Sequence, residues 1–486
     1  MSAEGGMEMA TVDGSSTVTG EWAMPHLSAE ERAARGKAER AEIPRAAHAT
    51  WKAPPHRRDP IALLEEQATT RVPELVPIRY GRMLVSPFTF YRGAACVMAS
   101  DLAATTRSGL RVQLCGDAHL SNFGVFGSAE RRLMFDINDF DETLPGPWDW
   151  DVKRLAASVE LAGRDNGFSK SSRSDIVQTT VREYREAMRS FAALRDLDVW
   201  YASLDVEQVF DRFRSSVGRK RLHVTERNLA KARTKDSIQA YETLTHEVGG
   251  RRRIISDPPL IVPVDEFSKG VAREQIEQQM REILRGYRRT LEADRRHLLE
   301  RYEFADMAHK VVGVGSVGSR AWIILLLGRD DQDPLFLQAK EAQASVLEPF
   351  LGKSEYRNSG QRVVAGQRLM QAASDIFLGW QRVEGVDGVE RDFYVRQLRD
   401  WKFSVDIAAL DRVVLTTYGR LCGWTLARAH ARSGDRIAIA AYLGKADSFD
   451  KAIAAFAIAY ADQTERDHQA LAAAVKSGRI QAETGL

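Results

Sequence analysis

Residues 113–141 read QLCGDAHLSNFGVFGSAERRLMFDINDFD, and the fold turns on how this stretch is understood. A short apolar run, Val112 to Leu114, leads into Gly116-Asp117, and Asn122 follows five positions after that aspartate. A charged turn, Ser128 to Arg132, gives way to a second apolar run, Leu133 to Ile137, which ends in Asp139-Phe140-Asp141. Two strands joined by a turn would bring Asp117, Asn122 and Asp139 to one end of a small sheet. Phosphoryl transfer asks for such a set. One carboxylate accepts the proton of the attacking hydroxyl, while an amide oxygen and a second carboxylate hold Mg²⁺ against nucleotide phosphates. The competing reading is a solvated acidic loop, since Asp and Asn are common turn residues. Acid density favours the site. Asp136, Asp139, Asp141, Glu142, Asp149 and Asp151 fall within sixteen residues that contain no base, and such a cluster repels itself unless a cation or basic groups offset it.

The chain around this stretch is long enough for several cores, at 486 residues with 44% hydrophobic and 28% charged. A net charge of +2 gives no bulk electrostatic case for a nucleic-acid or membrane-surface partner. The cysteines, Cys96, Cys115 and Cys422, stand far apart without metal-type spacing, which implies a reducing compartment. Residues 1–20 lack the basic start and apolar stretch of a signal peptide, and the apolar run Ala321 to Leu327 is too short to span a bilayer. A cytoplasmic protein is expected.

Upstream, residues 1–25 are Gly/Ser/Thr-rich and read as disordered. Ser28 with Glu31 forms a capping-box start for a charged helix to about Ala41, and Asp59-Pro60 opens another through Glu66. Arg79-Tyr-Gly-Arg82 and Phe90-Tyr-Arg92-Gly lie near enough to the acidic stretch to grip a phosphate or to pair with its acids. Downstream, Trp148 to Asp151 enters an amphipathic helix, and residues 171–303 read as mostly helical. The runs Arg219–Arg221 and Arg251–Arg253 read as solvated helix ends, and Asp257–Pro263 as an extended loop.

Residues 309–340 change character. Gly313-Val-Gly315-Ser316-Val-Gly318 is followed by the apolar run to Leu327, a turn, and Pro334 to Lys340. A dinucleotide-binding fold would start a helix at the third glycine, whereas a β-rich run starts here. Strand, Gly-turn, strand, turn, then a strand carrying a lysine is how kinases cover nucleotide phosphates. Lys340 lies in an apolar strand, where an unpaired charge is costly, so an anionic partner is expected. A helix over residues 358–380, a strand Phe393–Leu398 and a hinge-like connector Arg399–Lys402 follow. Two more helices, Leu410–Ala431 and Phe449–Val475, close the chain, the first carrying His430 as a packed or capping residue.

Arg79–Met83, Ser86–Gly93, Cys115–His119, Phe135–Glu142, Gly313–Gly318, Gln338–Glu341 and Ala459–Gln463 resemble the bacterial family catalogued as domain of unknown function 2252. That resemblance runs from about residue 55 to 480 and carries no assigned reaction. More remotely, Gly116-Asp117-Ala-His119-Leu-Ser-Asn122, Asp139-Phe140-Asp141 and Trp150-Asp151-Val152 are similar to the signature of the aminoglycoside-phosphotransferase and choline-kinase group, with Cys115 in place of its leading histidine. The likeness implies ATP and Mg²⁺ as cofactors and a small-molecule acceptor. It implies Asp117 as catalytic base, Asn122 and Asp139 (or Asp136 in exchange) as metal ligands, and Asp151 as an anchor of the catalytic loop. Gly313, Gly315, Ser316, Gly318 and Lys340 would contact nucleotide, and Arg82, Arg92 and His119 would contact substrate or phosphate. Because the Gly-turn and lysine come after the aspartate, the expected fold is α+β, protein-kinase-like, bilobal and circularly permuted, with a helical large lobe and a small antiparallel-sheet lobe. Its parts would be an arm (1–54), a helical region with the catalytic loop (55–305), a nucleotide-covering sheet (306–402) and closing helices (403–486). No glutamate lies between Tyr356 and Arg382 to pair with Lys340. A nucleotide-binding regulator or an AMP-transferring enzyme are the alternatives.

Overall fold

The computed structural model describes residues 27–207, 233–234, 236–267, 273–311, 313–385, 388–398, 401 and 405–485. The Gly/Ser-rich start, the basic run at 219–221 and most of the hinge-like connector lie outside them.

The architecture is mixed α+β with small antiparallel sheets. Four short strands come first: β1 Arg111–Leu114, β2 Phe123–Gly127, β3 Leu133–Ile137 and β4 Leu144–Pro147. The two apolar runs of the opening stretch do not pair with each other. Instead β1 pairs with β4, and β3 with β2. The expected single hairpin is therefore two separate ladders, because the Phe123–Gly127 segment, whose glycines obscure its strand pattern, offers β3 a nearer partner.

The region 171–303 holds helices at Lys170–Ala192, Asp196–Tyr201, Ser237–Leu244, Arg273–Arg288 and Ala293–Leu299, but also strands β5 Thr245–Val248, β6 Arg251–Ile254 and β7 Ile261–Pro263. The basic run Arg251–Arg253 is thus a hairpin strand and not a helix end. Strands β8 Glu303–Lys310, β9 Ala321–Leu327, β10 Pro334–Ala342, β11 Gly379–Glu384 and β12 Glu390–Gln397 join β7 in a six-stranded sheet ordered β11-β12-β10-β9-β8-β7. Its central strands are apolar on both faces because both are covered. Ile324, Leu326, Leu335 and Leu337 pack with Met280, Tyr287 and Leu291 on one side. Ile323, Leu325 and Phe336 pack with Ala240, Tyr241 and Leu244 on the other, as the two-residue strand period requires. The helix before β11 spans Ser359–Met370, ending sooner than the sequence suggested.

The largest core surrounds the helix Trp148–Asp165. Its apolar spacing suggested one buried stripe, yet Trp148 through Gly163 are all buried. Helices Lys170–Ala192, Arg412–Ser433 and Ser448–Lys476 enclose it, and Trp148 stacks on Tyr184 with ring centroids 5.7 Å apart. Arg412–Ser433 reaches Lys170–Ala192 closely because Gly423 carries no side chain, where a Cβ would sit 2.4 Å from the Thr180 carbonyl oxygen. The N-terminal helix, Ala29–Glu42, has the capping box expected from Ser28 and Glu31. It docks on the helix Arg436–Leu443 through Gly36 against Ala438 and an Arg32–Asp435 ion pair of 2.8 Å. Among the described residues no helix is long and apolar enough to cross a membrane, and all three cysteines are free.

Candidate functional site

Strand β1 delivers the chain into Cys115-Gly116, where Gly116 has φ +83° and a Cβ would meet the Glu142 carbonyl oxygen at 2.3 Å. Only glycine serves at such a place. The amides of Cys115 and Gly116 donate to the two oxygens of Asp151 at 2.8 and 3.1 Å. Asp151 sits in the first turn of Trp148–Asp165, and His430 Nε2 lies 3.3 Å from its Oδ2. One carboxylate thereby ties the loop before Asp117 to the buried helix Trp148–Asp165.

Asp117 projects from this loop into a cavity of about 190 Å³ that His119, Asn122, Asp139, Asp141, Glu142, Lys340's neighbours Glu341 and Ala342, and the Gly-turn also line. Arg154 holds Asp117 Oδ1 through Nε at 2.8 Å and Nη2 at 2.7 Å. His119 Nε2 stands 3.6 Å from Oδ2. Burial pushes the Asp117 pKa up, and Arg154 offsets part of that, leaving it at about 6. Burial drives His119 the other way, assisted by Arg92 and Arg154, so its ring is neutral. Arg154 escaped the sequence reading, although it stands one helical turn after Asp151 on the same face. Its own position is fixed by Tyr91, whose carbonyl oxygen accepts from Nη2 at 2.8 Å and whose ring lies 3.8 Å below the guanidinium.

Asn122 closes a short 3₁₀ turn and donates from Nδ2 to the Asp117 carbonyl at 2.8 Å, so its Oδ1 is the atom that could take a cation. Its own carbonyl accepts from Asn138 N at 2.8 Å, so the two halves of the opening stretch meet one residue before Asp139. Asp139 and Asp136 are not interchangeable. Asp136 is 2% exposed, paired with Arg428, and accepts from Ile137 N and Ala372 N at 2.9 Å each. Asp139 faces the cavity with its side chain 31% exposed.

Lys340 brings the late segment to this place. In the sheet it stands opposite Ala321 on one side and Tyr394 on the other. Its ammonium bonds Asp141 and lies 3.9 Å from Asp139, while Tyr394 Oη donates to Asp141 at 2.8 Å. Burial works against the ammonium, but Asp141, Tyr394 and Asp139 together outweigh it and the Lys340 pKa is raised. Burial likewise acts to raise Asp141, and Lys340 reverses that, so its pKa lies below the ordinary carboxylate value. The helix Ser359–Met370 supplies no acid. Its Arg362 donates to the carbonyls of Asp141 and Thr143, at 2.8 and 2.7 Å, and braces the acidic loop. Most of the acid cluster is therefore offset from within the protein, since Asp149 also pairs with Lys153 at 3.0 Å. Burial pushes Glu142 up to about 7.

Gly313, Gly315 and Ser316 line the cavity, and Gly318 does not. Gly313 and Gly318 have positive φ, +66° and +88°. Gly318's carbonyl accepts from Val72 N at 2.8 Å, stapling the turn to the early helical segment. Arg82 is absent from the cavity wall and holds the Gly313 carbonyl at 2.5 Å, a positioning contact. Arg92 does line it, together with Arg71 and Arg79. The sequence reading assigned no role to Arg71. The signal that marks it is burial without a carboxylate, which spacing does not reveal.

Among the described residues no three His, Cys, Asp or Glu side chains close into a metal-ligand cluster. Asp139 and Asn122, with Asp117 beside them, nevertheless fit a Mg²⁺ that takes one or two carboxylates and completes its shell with phosphates and waters. Comparison with curated proteins and with solved structures gives no match. Residues 71–474 match the model of a bacterial family described as "Uncharacterized protein conserved in bacteria (DUF2252)", and the chain belongs to that family.

Proposed function

We propose that the chain is an ATP- and Mg²⁺-dependent phosphotransferase, on a circularly permuted, protein-kinase-like arrangement, acting on a small-molecule acceptor. One observation carries the reading. A lysine on the third strand around a Gly-turn meets the Asp139–Asp141 loop across 199 positions of sequence, beside Asp117 and Asn122. The Gly-turn linking adjacent antiparallel strands β8 and β9, with the lysine on the next strand, supports the assignment of β8–β12 as a phosphate cover.

In this reading Asp117 Oδ2 takes the acceptor's proton. Its pKa of about 6 leaves it ionised at neutral pH without making it inert as a base. Arg154 holds the other oxygen and so fixes the carboxylate's direction. Gly313, Gly315 and Ser316 approach the phosphates with backbone N–H groups. Lys340 would exchange part of its bond to Asp141 for a phosphate oxygen. Bound between Asn122 and Asp139, Mg²⁺ would supply charge neutralisation at the transferred phosphoryl group.

A second reading, a nucleotide-binding regulator, is favoured by Cys115 in place of a leading histidine, by the lack of an acid on the helix Ser359–Met370, and by the pairing of Lys340 with Asp141. Calorimetric titration with ATP, with and without Mg²⁺, followed by transfer assays on wild type and Asp117→Asn, separates the two. Binding with Asp117-dependent loss of γ-phosphate supports the enzyme, and retention of α-label on the acceptor identifies AMP transfer. Absence of any ATP binding refutes both readings.

A further inference from the structure

Three guanidinium groups that line the cavity lack a carboxylate partner. Among the described residues Arg71, Arg79 and Arg92 line it, and no Asp or Glu stands within ion-pair distance of any of them. Arg79 is the extreme case, 0% exposed. Its Nη2 donates to Gln67 Oε1 and the Gly93 carbonyl at 2.6 and 2.7 Å, while Nε and Nη1 donate to nothing. Arg71 spends Nη1 on the Val317 carbonyl at 2.5 Å and leaves Nε unused. The Nε of Arg92 is unused as well. Glu142 and Asp141 act on Arg71, and Asp117 on Arg92, only at longer range.

Elsewhere in this interior buried cations are answered by carboxylates or, at Arg362, by the carbonyls of Thr143, Asp141 and Gln343. Arg154 has Asp117, Arg428 has Asp136, Arg185 has Asp450, and Lys340 has Asp141. Removing a cation from water costs several kcal/mol unless a counter-charge and hydrogen bonds repay it. Three guanidiniums with idle N–H groups and no carboxylate, all lining one cavity, are groups that a bound anion would satisfy. The planar fork of arginine suits phosphate or carboxylate.

We propose that Arg71, Arg79 and Arg92 form a subsite for a phosphate-type anion, distinct from the Lys340–Asp141 contact and bordered by Gly313–Ser316. The anion is either the terminal phosphate of the nucleotide or an anionic group on the acceptor, which would make the acceptor a phosphorylated or carboxylated compound. Only this choice of source rests on the phosphotransferase reading. The subsite itself stands on burial and unpaired donors.

The test titrates the whole chain with inorganic phosphate at constant ionic strength. Saturable binding is expected, weakened about tenfold or more in Arg92→Gln and in Arg71→Gln, the loss typical of one charge-assisted hydrogen bond. Far-UV circular dichroism and melting curves check that each variant is folded. These two half-buried positions carry the test if Arg79→Gln, which also releases the Gly93 carbonyl, fails to fold. ATP that competes with phosphate assigns the anion to the nucleotide, and simultaneous binding assigns it to the acceptor. Arginine-dependent phosphate binding without any ATP binding keeps the subsite and removes the phosphotransferase reading. No saturable phosphate binding, or equal affinity in wild type and both folded variants, overturns the proposal.

Discussion

Replacing Lys340 by methionine removes the cation from a contact that joins two segments 199 positions apart and leaves Asp141 with Tyr394 as its hydrogen-bond donor. The lysine side chain is 4% exposed and that of Asp141 27%. Breaking one side of a buried pair costs about 3–5 kcal/mol, and the partial exposure of Asp141 places the expected loss near the lower end, about 3 kcal/mol. The pH dependence has a definite sign. In the wild type the Asp141 pKa is depressed, so its contribution is fully present above the unfolded value of about 4 and is lost as pH falls through the folded one. Without Lys340, burial raises the Asp141 pKa, and the penalty applies fully above that raised value and vanishes below about 4. The deficit of Lys340→Met should therefore be largest at pH 7 and shrink steadily toward pH 4. Urea unfolding at several pH values, with Asp141→Asn and the double variant completing a mutant cycle, measures it. A coupling below about 0.5 kcal/mol, within the error expected for independent sites, or a deficit that grows on acidification, refutes the reasoning.

Asp117→Asn should lower transfer by about 10²–10⁴-fold with ATP affinity little changed, as read by single-turnover assays. In the wild type, kcat/KM should rise as pH passes through about 6, because the proposed base, Asp117, must be ionised, and Arg154→Gln should move that midpoint upward. Asp139→Asn should weaken the Mg²⁺ dependence of ATP binding. Asp136→Asn should leave that dependence intact but cost about 3 kcal/mol of stability by stranding Arg428. Gly423→Ala should destabilise by about 1–3 kcal/mol in thermal or urea melts, since its methyl would enter the Thr180 carbonyl.

Several features were legible in the residues alone because they depend on near neighbours. The capping box at Ser28, the need for an anion at Lys340, and the absence of a glutamate on the helix before β11 all follow from a few consecutive side chains and the cost of a buried charge. Spacing also singled out Asp117, Asn122 and Asp139, which now line one cavity. Strand pairing was not legible. β1 pairs with β4, whose Leu-Pro-Gly-Pro sequence carries no strand pattern, while β3 takes the nearer, glycine-containing β2. Nor could sequence separate Asp136 from Asp139. The two carboxylates are three positions apart, and only Arg428, 292 positions away, makes one structural and leaves the other facing the cavity. The identity of Lys340's partner and the unanswered charge of Arg79 have the same origin. An ion pair, or its absence, is a property of groups brought together from opposite ends of a chain, and the free energy that selects it arises only once water has been excluded around them.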